Sequence, residues 1–253
     1  MSEALYKNPD IYDIAYTEKV DEIVMEHYKN VFAGKDIETI HDCSFGTGSL
    51  SIVLARMGYK LSGSDISESM LEKAGEKIKE EGLTIKLVQS DFRELTANIN
   101  DTYDCVMSTG NSLAHVNNAD VIKTIYEMSK LVNENGYIYI DSRNWDKIRD
   151  TKQRFYYYPP FFRDGERINL VQVWDHNIDG TITFNFLYSF EKDNKILRHE
   201  EFAETYHPLS IELIVESLNK LGFGNFEIHN FGNAKIHKLE DMQWYSIIAR
   251  KLS

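Results

Sequence analysis

Ile40-His41-Asp42-Cys43-Ser44-Phe45-Gly46-Thr47-Gly48 is the stretch whose reading decides the fold. It reads as an apolar strand that ends in an acidic residue and a glycine turn, over which a ligand can approach bare backbone N–H groups at the start of the next helix. Working downstream, Ser49 to Met57 places Leu50, Val53 and Leu54 on one helical face, and Gly58 sits where a helix would stop. A dinucleotide fingerprint needs a third glycine three positions after Gly48; Ser51 stands there, which weakens the NAD reading. Asp42 suits a ligand with a cationic end and would repel a pyrophosphate. A second strand, Lys60 to Gly63, delivers Asp65 at its carboxyl end, where a carboxylate accepts hydrogen bonds from both hydroxyls of a ribose. A nucleoside with a charged amino-acid tail fits both carboxylates.

Strands are expected near 37–43, 60–65, 84–90, 103–109 and 136–142 with helices between them, the pattern of a parallel sheet covered on both faces. One helix, Ala119 to Val132, is expected to bury Val121, Ile122, Ile125, Met128 and Val132 and to end at a left-handed Asn135-Gly136 turn. After Asp141 the pattern changes. Two alternating runs, Ile168 to Trp174 and Ile182 to Tyr188, flank Asp179-Gly180, and Asp193-Asn194 offers a second turn to a third strand, so this part reads as an antiparallel insert. Ser210 then caps a helix that stops at Gly222, and strands near 225–230 and 243–251 complete the sheet.

With 253 residues and 42% hydrophobic content, the chain fits one domain over 1–253. Its expected parts are an N-terminal helical or lid segment (1–36), a ligand-binding core (37–142), the insert (143–208), and a closing helix with the last two strands (209–253). Cys43 and Cys105 fall in expected buried strands, and no signal peptide is read, so free thiols in a reducing cytoplasm are expected. No apolar run approaches a membrane span. A net charge of −12 without a long Lys and Arg cluster disfavours nucleic acid as a partner.

Ligands of a doubly wound sheet bind outside the carboxyl ends of its strands. The third strand ends in Ser90-Asp91-Phe92, where Asp91 can accept from the exocyclic amine of an adenine and Phe92 can pack on its ring. The fourth ends in Thr109-Gly110-Asn111-Ser112-Leu113-Ala114-His115, and the fifth in Asp141-Ser142-Arg143-Asn144-Trp145-Asp146. Arg143 reads either as a ligand clamp or as the partner of Asp141 or Asp146. His115 reads as a loop histidine or as a ligand contact. The run Tyr156 to Phe162 either packs beneath the insert or touches substrate.

In its stretches Asp42 to Gly48, Gly110 to His115 and Ile140 to Asp146, the chain resembles the class I S-adenosylmethionine-dependent methyltransferases, and within them the glycine N-methyltransferase and glycine/sarcosine N-methyltransferase family. The resemblance covers most of the chain; the first stretch is shared by many methyltransferases, the other two are more specific. It implies a Rossmann-like α/β fold, a seven-stranded mostly parallel sheet with helices on both faces, and an antiparallel insert after strand five. It implies S-adenosylmethionine as cofactor, S-adenosylhomocysteine as product, and in-line methyl transfer to the amine of a small amino acid such as glycine or sarcosine. Another small amine or hydroxyl acceptor, and a non-catalytic cofactor-binding module, stand as alternatives.

The resemblance further implies that Ser44, Gly46 and Gly48 line the methionine part of the cofactor, Asp65 holds the ribose, and Asp91 with Phe92 holds the adenine beside Met70. Asp42, Ile66, Thr109, Gly110, His115, Tyr12 and Tyr16 complete the cofactor set, the two tyrosines both suiting the family's N-terminal tyrosine role. Asn111 and Arg143 face the acceptor, and a tyrosine of the run Tyr156-Tyr157-Tyr158, Tyr157 by preference, closes over it. Phe45 stands where the family usually has a cysteine. No metal site is expected, and self-association is left open.

A sulfonium methyl is already activated, so positioning dominates, and well-oriented reactions gain about 7 to 11 kcal/mol in this way. A planar guanidinium such as Arg143 fixes an amino-acid carboxylate through two parallel hydrogen bonds. The amine must be neutral to attack. No strong general base is expected; the Gly110 carbonyl and Asn111 orient an amine that loses its proton to water.

Overall fold

The structure, a computed structural model, describes residues 5–252. An N-terminal segment carries helices α1 (Pro9–Tyr12) and α2 (Glu18–Phe32). The alternating half follows as β1 (Thr39–Asp42), α3 (Ile52–Arg56), β2 (Lys60–Asp65), α4 (Glu68–Glu80), β3 (Lys86–Gln89), α5 (Leu95–Asn98), β4 (Tyr103–Ser108), α6 (Asn118–Lys130) and β5 (Val132–Arg143). After α7 (Trp145–Thr151) come β6 (Phe155–Tyr157), β7 (Phe161–Arg163), β8 (Glu166–His176), β9 (Ile182–Lys192) and β10 (Lys195–Tyr206), then α8 (Ile211–Lys220), β11 (Phe223–Asn230) and β12 (Trp244–Lys251).

Seven strands form one sheet in the order β11-β12-β5-β4-β1-β2-β3. The pairings among β1 to β5 are parallel, and β12 closes antiparallel on β5 and β11 on β12. Period-two alternation sorts the strand residues onto two faces. Cys105, Met107, Tyr139 and Ile248 pack with Val24, Tyr28, Val53 and Ala74 of α2, α3 and α4. Val106, Ile138, Ile140 and Ile247 pack with Val121, Ile125, Ile214 and Leu218 of α6 and α8. Both cysteines are buried free thiols. Among the described residues, no helix is long and apolar enough to cross a membrane.

Two helices differ from expectation at their ends. The helix after the glycine turn begins only at Ile52, because Ser51 Oγ donates to Asp42 and the Thr47 and Ser49 hydroxyls donate to Asp13 Oδ1, which holds the chain in turns. Helix α6 stops at Lys130 and Val132 already belongs to β5. Asn135 does adopt a left-handed φ of 63°, but within β5, where the register against β4 shifts between the Tyr103↔Val132 and Cys105↔Tyr137 pairs. Ile122, expected inside, is 47% exposed because it lies on the outer face of α6.

The insert is a second sheet, β10-β9-β8-β6, with β7 also paired to β8. Its β9-β10 turn is Asp193-Asn194, with φ of 51° and 61°, the pair of positive values that a tight hairpin demands. Ile182, Phe184, Phe186, Tyr188 and Phe190 alternate inward along β9. Phe184 stacks on Trp174 at 4.2 Å and touches Tyr206 and Trp145 at 4.8 and 5.5 Å. Phe184→Ala is expected to cost about 3 to 5 kcal/mol, read as a lowered denaturation midpoint. A loss under about 1 kcal/mol would mean that the insert is not packed around this ring.

Candidate active site

The glycine turn is held by its neighbours. Gly46 and Gly48 have φ of 54° and 76°, values an L side chain adopts only with strain. The Gly46 N–H donates to Asp65 Oδ2 at 2.8 Å and Phe45 N–H to the Ser64 carbonyl at 2.9 Å, so β1's turn is stitched to the end of β2. Phe45 is buried directly over Gly63, where a Cβ would fall 2.1 Å from its ring.

A cavity of about 510 Å³ opens beside this turn, within the range of small-molecule sites. Ser44, Gly46, Asp65, Ile66, Met70, Asp91, Phe92, Thr109, Gly110, His115, Tyr12 and Tyr16 all line it. Burial raises the Asp65 pKa, opposed by the Ser67 and Gly46 N–H groups on its two oxygens. Ile66 is largely exposed at the rim, whereas Met70 is buried.

Asp91 is gripped by Arg93, whose backbone N–H and Nε reach Oδ1 at 2.8 and 3.0 Å. Its carboxyl pKa is lowered: burial acts upward, but the hydrogen bonds and charge of Arg93 outweigh it. His115 Nε2 meets Tyr6 Oη at 2.9 Å, and burial drives its pKa down to about 4, leaving a neutral ring at physiological pH.

Five expected site residues stand apart from the cavity wall. Asp42 does not reach a ligand: its oxygens are taken by Ser44 N–H at 3.0 Å, Ser44 Oγ at 3.3 Å, Thr109 Oγ1 at 2.8 Å and Ser51 Oγ. It braces the turn from beneath, buried, with burial the largest influence raising its pKa. Gly48 sits under the turn, where a Cβ would lie 2.6 Å from Ile52 and 2.8 Å from the Phe45 ring. The Asn111 Oδ1 is no free acceptor, since it takes Ser142 Oγ, the Arg143 backbone N–H and Trp145 Nε1 at 3.1, 3.1 and 2.9 Å.

Tyr157 is 69% exposed and stacks outward on Phe155. The reason is strand alternation: β6 sends 155 and 157 to solvent, and Tyr156, with Tyr158 just beyond the strand, inward. Tyr158 Oη lies 3.5 Å from Arg143 Nη2 and accepts from Gln172 Nε2 at 3.2 Å.

Arg143 makes no salt bridge among the described residues, and Asp146 pairs instead with Arg149. Its guanidinium sits among the rings of Trp244, Trp174, Phe184 and Tyr156 at 5.0, 5.3, 5.4 and 5.5 Å. These π faces attract the cation without consuming its N–H donors. Tyr206 links this box to the cavity, its ring 4.8 Å from Phe184 and 4.7 Å from His115.

Sequence reasoning did not find Tyr6, Arg93, Glu204 or Tyr206 at the site, and within the tyrosine run it preferred Tyr157 to Tyr158. Glu204 left little signal, because the positions that share its face of β10 include the charged Arg198 and Glu200 as well as Phe202 and Tyr206. Among the described residues, no group of three or more His, Cys, Asp or Glu could hold a metal ion.

Beneath the site, Asp141 accepts from the Gly110 and Asn111 N–H groups and from Trp244 Nε1 at 2.9, 3.3 and 3.0 Å. Burial still lifts its pKa from 3.8 to about 7. A carboxyl raised in the folded state gives stability that is full below its unfolded pKa and is lost as pH rises through the folded value. Asp141→Asn is therefore expected to flatten the fall in denaturation midpoint between about pH 4 and 7, the interval between its unfolded and folded values. An unchanged slope would clear Asp141 as the source.

Residues 40–136 match a methyltransferase domain model. The chain is 28% identical over 200 residues to a glycine/sarcosine/dimethylglycine N-methyltransferase of Actinopolyspora halophila, a match covering 77% of this chain and 33% of that relative, so the chain spans about a third of its length. It is 25% identical over 250 residues to a glycine/sarcosine N-methyltransferase of Aphanothece halophytica, covering 93% and 88% of the two chains. Among solved structures, the SAM-bound amino pentose methyltransferase CalS10 from Micromonospora echinaspora aligns with a TM-score of 0.72 at 12% identity over 96% and 95% of the two chains, a likeness of fold. With this sheet order, a glycine turn fastened to an acidic residue on the next strand, and a cavity at the strand tips, the chain has the class I methyltransferase fold, carries a methyltransferase domain over residues 40–136, and is similar in sequence to the glycine/sarcosine N-methyltransferases.

Proposed function

We propose that the protein methylates the amine of a small amino acid such as glycine or sarcosine. The observation that carries this reading is Arg143, a guanidinium boxed by four aromatic rings with no carboxylate among the described residues to neutralise it. Its free donors suit a carboxylate bound through a fork, and the Tyr158 hydroxyl beside it offers a further hydrogen bond. A non-catalytic module would have this arginine locked in an internal salt bridge. The names of the two curated relatives support an amino-acid acceptor.

The cavity suits the cofactor. Asp65 is placed for the ribose, Phe92, Met70 and Ile66 for the faces of the adenine, and Asp91, steadied by Arg93, for its amine. Ser44, Gly46, Thr109 and Gly110 bound the methionine end, and Tyr12 and Tyr16, joined at 3.1 Å through their hydroxyls, wall the side that faces the insert. When bound, S-adenosylmethionine supplies an activated methyl. The chain's own part is to hold the acceptor in line and keep bulk water away. In this reading residues 1–253 work as one domain with the insert over the acceptor side, on a small molecule rather than a polyanion.

Incubating the protein with labelled methyl donor and a panel of small amines, and reading product mass, tests the proposal. Methylated glycine or sarcosine is the expected result. Product only from amines lacking a carboxylate would overturn it.

A further inference from the structure

Glu204 takes no part in the arrangement described so far. It stands on the inward face of β10, 2% exposed, and lines the cavity with Tyr6 and His115. Its Oε1 has no hydrogen-bond partner among the described residues. A buried carboxylate oxygen without a hydrogen-bond partner costs folding free energy and suits a donor supplied by a ligand. Glu204 is paired across the strands with Phe184, whose ring lies 5.4 Å from the Arg143 guanidinium and 4.8 Å from the Tyr206 ring one pleat further along β10, so an anionic and a cationic group border the same aromatic cluster. That is the polarity of an amino acid's two ends.

We propose that Glu204 receives the amine end of the acceptor and removes its proton before methyl transfer, acting as the general base of the reaction. This rests on the amino-acid reading above. An N–H bond of the bound ammonium breaks, the proton goes to the Glu204 carboxylate, and the electron pair stays on nitrogen. That pair forms the new N–C bond while the pair of the broken S–C bond remains on sulfur as a neutral thioether. Glu204 gives its proton to water when product leaves.

The other candidates are poor bases. The oxygens of Asp65 and Asp91 are engaged by backbone N–H groups and Arg93. Burial holds the Tyr6 and Tyr12 phenols well above their usual range and Tyr16 at about 12, so all stay protonated. His115 is too weak a base at about 4 and already meets Tyr6. Glu204, raised by burial to about 7, is matched to neutral pH. Among the described residues, the titratable groups facing it are Tyr6 of the N-terminal segment, His115 after β4 and Tyr206 of its own strand, with Lys7 on the same wall.

The experiment compares the parent, Glu204→Gln and Glu204→Asp with glycine as acceptor across pH, and measures S-adenosylmethionine affinity by calorimetry. In the parent, kcat/KM for glycine is expected to rise to a plateau near neutral pH. Glu204→Gln should be about 100-fold slower at pH 7 and keep rising with pH toward the free amine's own pKa, with Glu204→Asp partly restored. Cofactor affinity should stay within about threefold of the parent. Infrared difference spectra should show a carboxyl band titrating between about pH 6 and 8 that Glu204→Gln removes.

An unmoved profile, a uniform drop at every pH, loss of cofactor affinity in Glu204→Gln, or absence of that band would each overturn the assignment. If the parent methylates no small amino acid, the acceptor reading itself fails and this step with it. A working parent with an unaltered Glu204→Gln profile defeats Glu204 alone.

Discussion

Arg143→Lys is expected to lower kcat/KM for the acceptor by about 30- to 150-fold, almost all of it as a higher KM. The figure follows from losing one charge-assisted hydrogen bond of a bidentate pair, worth about 2 to 3 kcal/mol. Lysine keeps the charge but places it as a compact, strongly hydrated point that cannot lie flat among Trp244, Trp174, Phe184 and Tyr156. Cofactor affinity should not move, because Arg143 does not line the cofactor cavity. Tyr157→Phe is the control: its hydroxyl is on the exposed face of β6, and its kinetics should match the parent. Steady-state kinetics on both variants make the comparison. A normal acceptor KM in Arg143→Lys would sink the carboxylate clamp.

Asp65→Ala is expected to weaken S-adenosylmethionine binding by at least about 100-fold in titration calorimetry. Two ribose hydroxyls lose an ionised acceptor, and such bonds are worth about 1.5 to 3 kcal/mol each. The damage reaches the turn as well, since the Gly46 and Ser67 N–H groups lose the oxygens at 2.8 and 2.9 Å to which they donate. A retained circular dichroism spectrum separates loss of the site from loss of the fold. Affinity within a few-fold of the parent would remove Asp65 from the ribose.

The alternating half of the fold was legible because its signals are local. Apolar strands ending in polar tips, Asp179-Gly180 and Asp193-Asn194 between alternating runs, and Ser210 before α8 each act within a few residues. The residues expected to meet the cofactor, read from that order and from the family resemblance, all line the cavity except Asp42 and Gly48. What escaped was decided by partners far along the chain. Asp42 reads as a free carboxylate until Ser51 and Thr109 are seen to consume it. Asn111 reads as an acceptor until Trp145 and Ser142 claim its carbonyl. In the tyrosine run, the choice of Tyr157 over Tyr158 hung on which parity of β6 faces inward, and a three-residue strand between aromatic neighbours leaves no pattern to fix it. Tyr6 and Glu204 reach the cavity only through the docking of the N-terminal segment and the insert.

The seating of Phe45 over Gly63 ties two distant positions into one inheritance. A methyl group added at Gly63 has no room while the phenyl ring is there, and a smaller residue at 45 would leave a hole above a bare backbone. The two sites should therefore show epistasis: Gly63→Ala harmful alone, tolerated once Phe45→Cys has cleared the space. The contour of the glycine turn is in that sense set by the adjoining strand as much as by its own residues.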